Sequence, residues 1–184
     1  MRIDRLQKEY PIQIQWVAFP LHPETPENGI TFEELFSGYP IDIKEVEQRL
    51  KDVSQQLSLP LGKRTKTYNS RLAQELAKWA ESKGKGNEYH QAVFRAYFVE
   101  GRNISAVDEL VTIAKSLSLP EKEARKALEL RLFKETVDSD WSRSHALGIT
   151  AVPTFVIDHQ KVVGFAPYED LEHLLKTKNI KKRT

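Results

Sequence analysis

The chain has 184 residues, 40% of them hydrophobic and 29% charged, which is the composition of a folded globular domain rather than a disordered one. Its 28 basic and 26 acidic side chains leave a net charge of +2, so it lacks the strong positive field typical of nucleic-acid-binding proteins, and no apolar run is long enough to span a bilayer. The sequence contains no cysteine, which excludes disulfides, thiolate metal sites and a thiol nucleophile from these residues.

The first ten residues, Met1–Tyr10, carry five charged side chains and therefore do not resemble a signal peptide. We expect a cytoplasmic location as the default. Ile3 and Leu6 lie between the charges and Pro11 follows, which predicts the last turns of a helix that proline ends.

The next segment, Ile12–Phe19, begins with alternating apolar and polar residues and is rich in β-branched and aromatic side chains, so it predicts a β-strand. Closely spaced prolines and a glycine then predict an exposed loop over Leu21–Ile30. Thr31, with Glu34 three positions later, is typical of a capping box that opens a short helix.

From this point to about residue 147 the pattern is helical throughout. Asp42 is a predicted N-cap, and Asn69 or Ser70 is another, for a helix whose apolar stripe is Leu72, Leu76, Ala77 and Trp79. Further helices are predicted over Glu88–Glu100, Ser105–Leu117, Pro120–Leu132 and Lys134–Leu147, the last of which stops at Gly148.

The character of the sequence changes after this glycine. Ile149–Ile157 is β-branched and apolar around Pro153, and Lys161–Phe165 follows a polar turn as its predicted hairpin partner. Tyr168–Lys176 predicts a closing helix. A helical block between strands that must share one sheet indicates an insertion rather than a separate bundle.

Five segments resemble one family in the right order. Leu147–Ile157 resembles the cis-proline segment of DsbA-like thioredoxin folds, most closely of the FrnE-type branch, which is similar to 2-hydroxychromene-2-carboxylate isomerases and kappa-class glutathione transferases. The other four segments that resemble this branch are Trp16–Pro23, Asn69-Ser70 with Ala73, Phe94–Ile104 and Gly164–Pro167.

The resemblance implies an α/β protein with a thioredoxin-like fold of DsbA type. Residues 1–30 and 148–184 would form the thioredoxin-like domain, and residues 31–147 a large all-helical insertion. Members of the family begin with a strand and a Cys-x-x-Cys motif, or a serine-bearing variant, before the helix whose end resembles Arg2–Tyr10. We therefore expect a domain that lacks the first β-strand, because a longer natural chain was cut or its start was misassigned. The alternative is a natural paralogue that has lost the site.

The resemblance also implies the site. Ala151, Val152 and Pro153 would dock the substrate, with Asn69 and Ser70 lining the groove. If the Val152–Pro153 bond is cis, the backbone N–H and C=O of Val152 turn outward, although composition alone favours the trans form. Asn69 and Ser70 are equally good as helix caps. The resemblance places no catalytic residue within these 184 residues, and scattered histidines predict no metal site.

The function implied is that of a FrnE-type thiol–disulfide oxidoreductase that is inactive in dithiol exchange as written. The alternatives are a glutathione-dependent enzyme similar to 2-hydroxychromene-2-carboxylate isomerase, and a non-enzymatic module that binds a peptide or a thiol. The expected partners are a peptide or a small thiol or disulfide, and neither nucleic acid nor a membrane. No cofactor is expected, with glutathione the one alternative. Ile12–Phe19 and Thr154–Ile157 would expose unpaired strand edges, so we expect a homo-oligomer.

Overall fold

The computed structural model describes residues 2–183, which fall into two compact units. Unit 1 is formed by the two ends of the chain, Met1–Phe19 with Ser139–Thr184, and unit 2 is formed by Pro20–Asp138. The division predicted from the sequence, residues 1–30 with 148–184 and residues 31–147, stays a prediction about which part of the chain is the thioredoxin-like domain.

Helices dominate the described part of the chain. None of them is both long enough and apolar enough to cross a membrane. In chain order the elements are α1 (Arg2–Glu9), β1 (Ile30–Thr31), α2 (Phe32–Leu35), α3 (Ile43–Gln56), β2 (Lys66–Thr67), α4 (Arg71–Ser82), α5 (Gly86–Phe98), α6 (Val107–Ser116), α7 (Glu121–Glu129), α8 (Lys134–Ala146), β3 (Thr154–Ile157), β4 (Gln160–Val163) and α9 (Tyr168–Lys176).

Unit 1 is built on a β-hairpin that packs with α1 and α9. Strands β3 and β4 are antiparallel, with Thr154 opposite Val163 and Ile157 opposite Gln160. The predicted hairpin and closing helix are therefore confirmed. The buried apolar side chains of this unit are Leu6, Tyr10, Ala166, Tyr168, Leu171 and Leu175.

The hairpin is shorter than predicted, because β3 begins at Thr154 instead of Ile149. Proline has no N–H to give to a ladder, so regular pairing starts only after Pro153. The preceding helix, α8, ends where predicted. Gly148 has a φ of 61°, and the N–H of Ile149 donates to the carbonyl of Ser144 at 3.0 Å. This closure of the helix end needs a left-handed residue, which glycine supplies without a Cβ clash.

The strand predicted over Ile12–Phe19 is wrong, since residues 12–20 form neither helix nor strand. The backbone around Ala18 bonds to side chains of α8 instead of to another strand. Its N–H donates to Asp140 Oδ2 at 2.8 Å, and its carbonyl accepts from Ser144 Oγ at 3.3 Å. An alternating pattern predicts a strand only when a second strand is available to pair with it, and none of the described strands takes that place.

Unit 2 has its core among α4, α5, α6 and α7. The α4 stripe predicted from the sequence is buried there, with Leu76 at 0% and Trp79 at 5% exposure. β1 and β2 add a short antiparallel ladder, in which Ile30 lies opposite Thr67. The expectation that Ile30 belongs to an exposed loop was therefore wrong, because two paired residues are too few to produce an alternating pattern.

Two helix caps of unit 2 follow the sequence closely. Thr31 Oγ1 accepts from the Glu34 N–H at 3.1 Å, and the Glu34 carboxylate accepts from the Thr31 N–H at 2.7 Å, which confirms the capping box. Asp42 Oδ1 accepts from the N–H of Lys44 at 2.9 Å and confirms the start of α3. Each of these caps depends on residues within one turn of the helix end, so the sequence predicts it without knowledge of the tertiary structure.

Candidate functional site

The predicted docking residues of unit 1 lie in the connection between α8 and β3. Ala151, Val152 and Pro153 are all exposed, Val152 to 43%, and the Val152–Pro153 peptide bond is cis. The carbonyl of Pro153 accepts from the N–H of Gly164 at 2.7 Å, which holds the connection against the end of the hairpin. The cis bond that the resemblance implies is thus present at the predicted position.

The backbone of Val152 is open while its neighbours are engaged. The Ala151 carbonyl accepts from Thr154 Oγ1 at 2.6 Å, and the Pro153 carbonyl is bonded to Gly164. Within residues 2–183, neither the N–H nor the C=O of Val152 has a hydrogen-bond partner. Exposure leaves both groups to water or to a ligand, so Val152 presents one donor and one acceptor.

The surroundings of this connection supply rigidity rather than charge. Lys161 Nζ donates to the carbonyl of Leu147, which ties β4 to the end of α8. The sequence carries no charged residue between Leu147 and Ile157. Among the described residues, no cluster of three or more His, Asp or Glu side chains could hold a metal ion. Apart from the Lys161 ammonium, this connection therefore offers backbone hydrogen-bonding groups and apolar side chains.

Asn69 and Ser70 lie in unit 2, at the start of α4. Asn69 Nδ2 donates to the carbonyls of Pro23 at 2.9 Å and Thr25 at 2.8 Å, and its Oδ1 accepts from the Arg71 N–H at 2.9 Å. Its amide therefore fastens the loop after residue 20 to the helix start. These contacts are structural, and the predicted substrate-binding role of Asn69 and Ser70 stays a prediction.

A buried ion cluster in unit 2 was missed by the sequence reasoning. Glu75 is 1% exposed and accepts from Arg71 Nε at 2.6 Å and, in a bidentate pair, from Arg131 Nε at 2.7 Å and Nη2 at 2.6 Å. Burial by itself raises the pKa of Glu75, but the hydrogen bonds from Arg131 and Arg71 outweigh it and lower that pKa. The only sequence signal was the four-residue spacing of Arg71 and Glu75.

A second charged network joins α1, α9 and the C-terminal residues of unit 1. Glu9 accepts from Lys182 Nζ at 2.8 Å, from the Tyr168 hydroxyl at 2.5 Å and from Arg5 Nε at 2.6 Å. These bonds lower the pKa of Glu9 from 4.5 to about 2. Glu172 accepts from Lys176, Lys182 and the hydroxyl of Tyr10, and its pKa is likewise lowered to about 2.

Comparison with known proteins gives one curated relative. Over 112 residues the chain is 32% identical to the uncharacterized protein YwbO of Bacillus subtilis, which covers 60% of this chain and 56% of that protein. The match thus spans about half of the relative's length.

Three solved structures share the fold. A probable DsbA oxidoreductase from Streptomyces coelicolor aligns with a TM-score of 0.86 at 20% identity, covering 100% of this chain and 84% of that one. A 2-hydroxychromene-2-carboxylate isomerase aligns with a TM-score of 0.73 at 17% identity, covering 97% and 85%. The cytosolic disulfide reductase DsbM from Pseudomonas aeruginosa, solved with GSH, aligns with a TM-score of 0.57 at 20% identity, covering 82% and 81%.

These likenesses confirm the predicted α/β fold of DsbA type with a helical insertion. The family model described as the DSBA-like thioredoxin domain matches residues 1–176, which is nearly the whole sequence. The chain therefore belongs to the family of DSBA-like thioredoxin domains.

Proposed function

We propose that these residues form the substrate-docking part of a DsbA-like thiol–disulfide oxidoreductase, and that the substrate lies along Val152. The observation that carries the proposal is that Val152 is 43% exposed and that its backbone N–H and C=O have no partner within residues 2–183. An extended peptide can bond to such a pair as it would to a strand edge, with main-chain hydrogen bonds supplying affinity. Ala151 and Pro153 complete the docking segment.

The thiol chemistry must come from outside these 184 residues, because the sequence has no cysteine. In thiol–disulfide exchange a thiolate attacks one sulfur of a disulfide, a mixed disulfide forms, and the other sulfur leaves as a thiolate. Here the attacking thiolate would belong to the substrate or to a further polypeptide segment. The role proposed for this chain is to hold the backbone next to the reacting sulfur.

Glutathione is the small thiol that suits this role best. Its cysteine residue offers a main-chain N–H and C=O flanking the sulfur, which matches the donor and acceptor of Val152. The similar DsbM is a cytosolic disulfide reductase that was solved with GSH, which supports both glutathione and a cytoplasmic location as proposals for this chain. Asn69 and Ser70 are proposed as further substrate contacts.

A non-enzymatic binding module is the second candidate, and the absence of cysteine from the sequence favours it. It would bind a peptide or thiol at the same backbone without turnover. A glutathione-dependent isomerase would also hold glutathione at this backbone, but the serine-bearing motif that the family resemblance implies for it is not among these residues.

The test is an NMR titration of the ¹⁵N-labelled 184-residue chain with reduced glutathione, with 2-mercaptoethanol as the thiol that has no peptide groups. We expect the Val152 amide to shift with a Kd on the order of 1 mM for glutathione. We expect no shift with 2-mercaptoethanol, because it cannot make main-chain hydrogen bonds. An unmoved Val152 amide, or equal shifts with both thiols, would contradict docking at this backbone.

A variant pair sharpens this test. Val152→Pro removes the donor N–H. We expect the Kd for glutathione to rise at least about tenfold, because a tenfold change corresponds to the free energy of about one hydrogen bond. Val163→Thr changes another exposed residue of the hairpin, 58% exposed, and should bind as the parent does. Unchanged amide shifts of Thr154 and Gly164 would verify that the variant hairpin is intact. Glutathione-dependent reduction of a model disulfide by the chain would contradict a purely docking role.

A further inference from the structure

Arg64 of unit 2 is held by aromatic rings instead of by a carboxylate. Its guanidinium carbon lies 4.6 Å from the ring centroid of Phe98, 4.7 Å from that of Tyr97 and 5.3 Å from that of Phe32. All three distances are within cation–π range. Within the described residues, the guanidinium has neither an ion-pair partner nor a hydrogen-bond acceptor. Arginine carries five N–H donors, so the cation is positioned while its donors stay available.

The segment that carries Arg64 is fixed on both sides. On one side the N–H of Gly62 donates to the Phe98 carbonyl at 2.9 Å, and a Cβ on Gly62 would lie 1.8 Å from the Val99 carbonyl oxygen. Only glycine permits that approach. On the other side Thr67 belongs to β2, and its Oγ1 is 3.1 Å from the Tyr97 hydroxyl. The position of the guanidinium over the rings is therefore built into the fold of unit 2.

The charge around Arg64 favours an anion. Lys63, Arg64 and Lys66 place three cations within four residues, and the sequence has no acidic residue from position 58 to position 70. The carboxylate of Glu100, just beyond α5, is already paired with Arg95 at 3.0 Å and Arg102 at 3.4 Å. The pKa of Glu34, two residues after Phe32 on α2, is lowered by hydrogen bonds with Thr31 and by the charge of Lys66, which opposes it. Lys63 and Arg64 are therefore the cations that attract an anionic ligand to this point.

Two exposed aromatic rings lie next to this cation on α5. Phe94 is 43% exposed and Phe98 is 38% exposed, and their ring centroids are 6.2 Å apart in an edge arrangement. Phe98 is also one of the rings that hold Arg64. The surface thus combines a positive group with an apolar one, which is the pairing that an organic acid requires.

We infer that Arg64, Phe94 and Phe98 form a binding site for the carboxylate of an apolar organic acid. The carboxylate accepts two parallel N–H bonds from the guanidinium, a geometry that arginine provides and lysine does not. The hydrocarbon part of the ligand packs on Phe98 and Phe94. This site uses none of the residues of the proposed docking segment, so a result that contradicts one proposal leaves the other unaffected.

The test is a titration of the ¹⁵N-labelled 184-residue chain with 3-phenylpropionate, followed at the Arg64 Nε–H resonance and the Phe98 amide. We expect a Kd on the order of 1 mM. The uncharged 3-phenylpropionamide and inorganic phosphate should each bind at least about tenfold more weakly, because one lacks the carboxylate and the other the apolar part.

Arg64→Lys should also weaken binding at least about tenfold, since the charge is kept but the planar fork is lost. Arg49→Lys, on the exposed face of α3, is the matched control and should leave the Kd unchanged. Equal affinity for the acid and its amide in the parent chain would overturn the inference, as would equal binding of phosphate. Absence of binding at concentrations on the order of 20 mM, well above the expected Kd, would overturn it too.

Discussion

At the scale of single residues, the buried carboxylate of Glu75 shows how unit 2 tolerates a charge in its interior. A carboxylate out of water is costly unless its oxygens are bonded to cations. Both oxygens of Glu75 are satisfied, by Arg71 and by the bidentate fork of Arg131. Arg71 also reaches Asp138 at 2.7 Å, so the cluster links α4, the segment between α7 and α8, and the first turns of α8.

Replacing this carboxylate should be far more damaging than replacing a surface one. We expect Glu75→Gln to lower the free energy of unfolding by about 3 kcal/mol, because two arginines lose their anion in a buried site. Glu123→Gln, which removes the exposed pair of Glu123 with Lys83, is the matched control and should cost less than about 1 kcal/mol. Urea unfolding of both variants measures the difference. Similar shifts of the two midpoints would show that the Glu75 cluster is not an important source of stability.

The backbone of Val152 illustrates a different limit of residue-level reasoning. Sequence resemblance located the docking segment, but it could not show which backbone groups are used internally. That depends on the Thr154 hydroxyl turning back to Ala151 and on Gly164 meeting Pro153 across the hairpin. Only these contacts single out Val152 as the residue with an open donor and acceptor within the described chain.

At the scale of elements, α1 and α9 are joined by groups whose ionisation sets a pH window for unit 1. The pKa values of Glu9 and Glu172 are lowered to about 2, so both carboxylates bind protons more readily in the unfolded chain. The stability that they contribute is present above their ordinary pKa of 4.5 and is lost as pH falls towards 2. Tyr168 behaves in the opposite sense. Burial and its bond to Glu9 raise its pKa from 10 to about 12, so its contribution is lost as pH rises between those values.

We therefore expect the urea midpoint of unit 1 to be highest between about pH 5 and pH 9 and to fall on both sides. The Trp16 and Trp141 fluorescence of this unit reports the transition, after Trp79 of unit 2 is replaced by Phe. Glu172→Gln should flatten the acid limb, because one of the two depressed carboxylates is gone. Tyr168→Phe should flatten the alkaline limb. An unchanged acid limb in Glu172→Gln would mean that other groups control acid unfolding.

Elements also differ in how far their own residues predict them. The capping box at Thr31, the cap at Asp42 and the glycine that ends α8 were all read correctly, because each depends on residues within one turn of the helix end. The strand predicted over Ile12–Phe19 does not form, and the backbone N–H and C=O of Ala18 bond instead to the side chains of Asp140 and Ser144. Those residues are more than a hundred positions away in the chain.

At the scale of the whole molecule, the strand edges of unit 1 are the basis for the oligomeric state that we expect. In residues 2–183, β3 and β4 pair only with each other, so each has an outer edge without a partner strand. Val163 at 58% and Phe165 at 56% exposure lie at the end of this hairpin. Unpaired edges with exposed apolar residues favour pairing with another chain. Homo-oligomerisation through these edges is accordingly our expectation for the molecule in solution.

Light scattering after size-exclusion chromatography tests the expected homo-oligomerisation directly. We expect a mass that rises above 21.2 kDa with increasing protein concentration. Val163→Lys places a charge on the β4 edge and should shift the mass back towards that of the monomer. Glu129→Lys, on the exposed surface of α7, changes charge away from the strands and is the control. A constant mass of 21.2 kDa over the whole concentration range would contradict edge pairing.

The sequence alone determined the helical elements, the caps at Thr31 and Asp42, the closing hairpin and helix, and the resemblance that the family match confirms. These features follow from residues close together in the chain or from motifs in a fixed order. The tertiary structure decided what depends on distant partners: the open backbone of Val152, the burial of Glu75 between two arginines, and the rings around Arg64. The role of a polar or charged group depends on the group that it contacts. Folding brings such partners together from positions that are far apart in the sequence, so their spacing in the chain does not predict the contact.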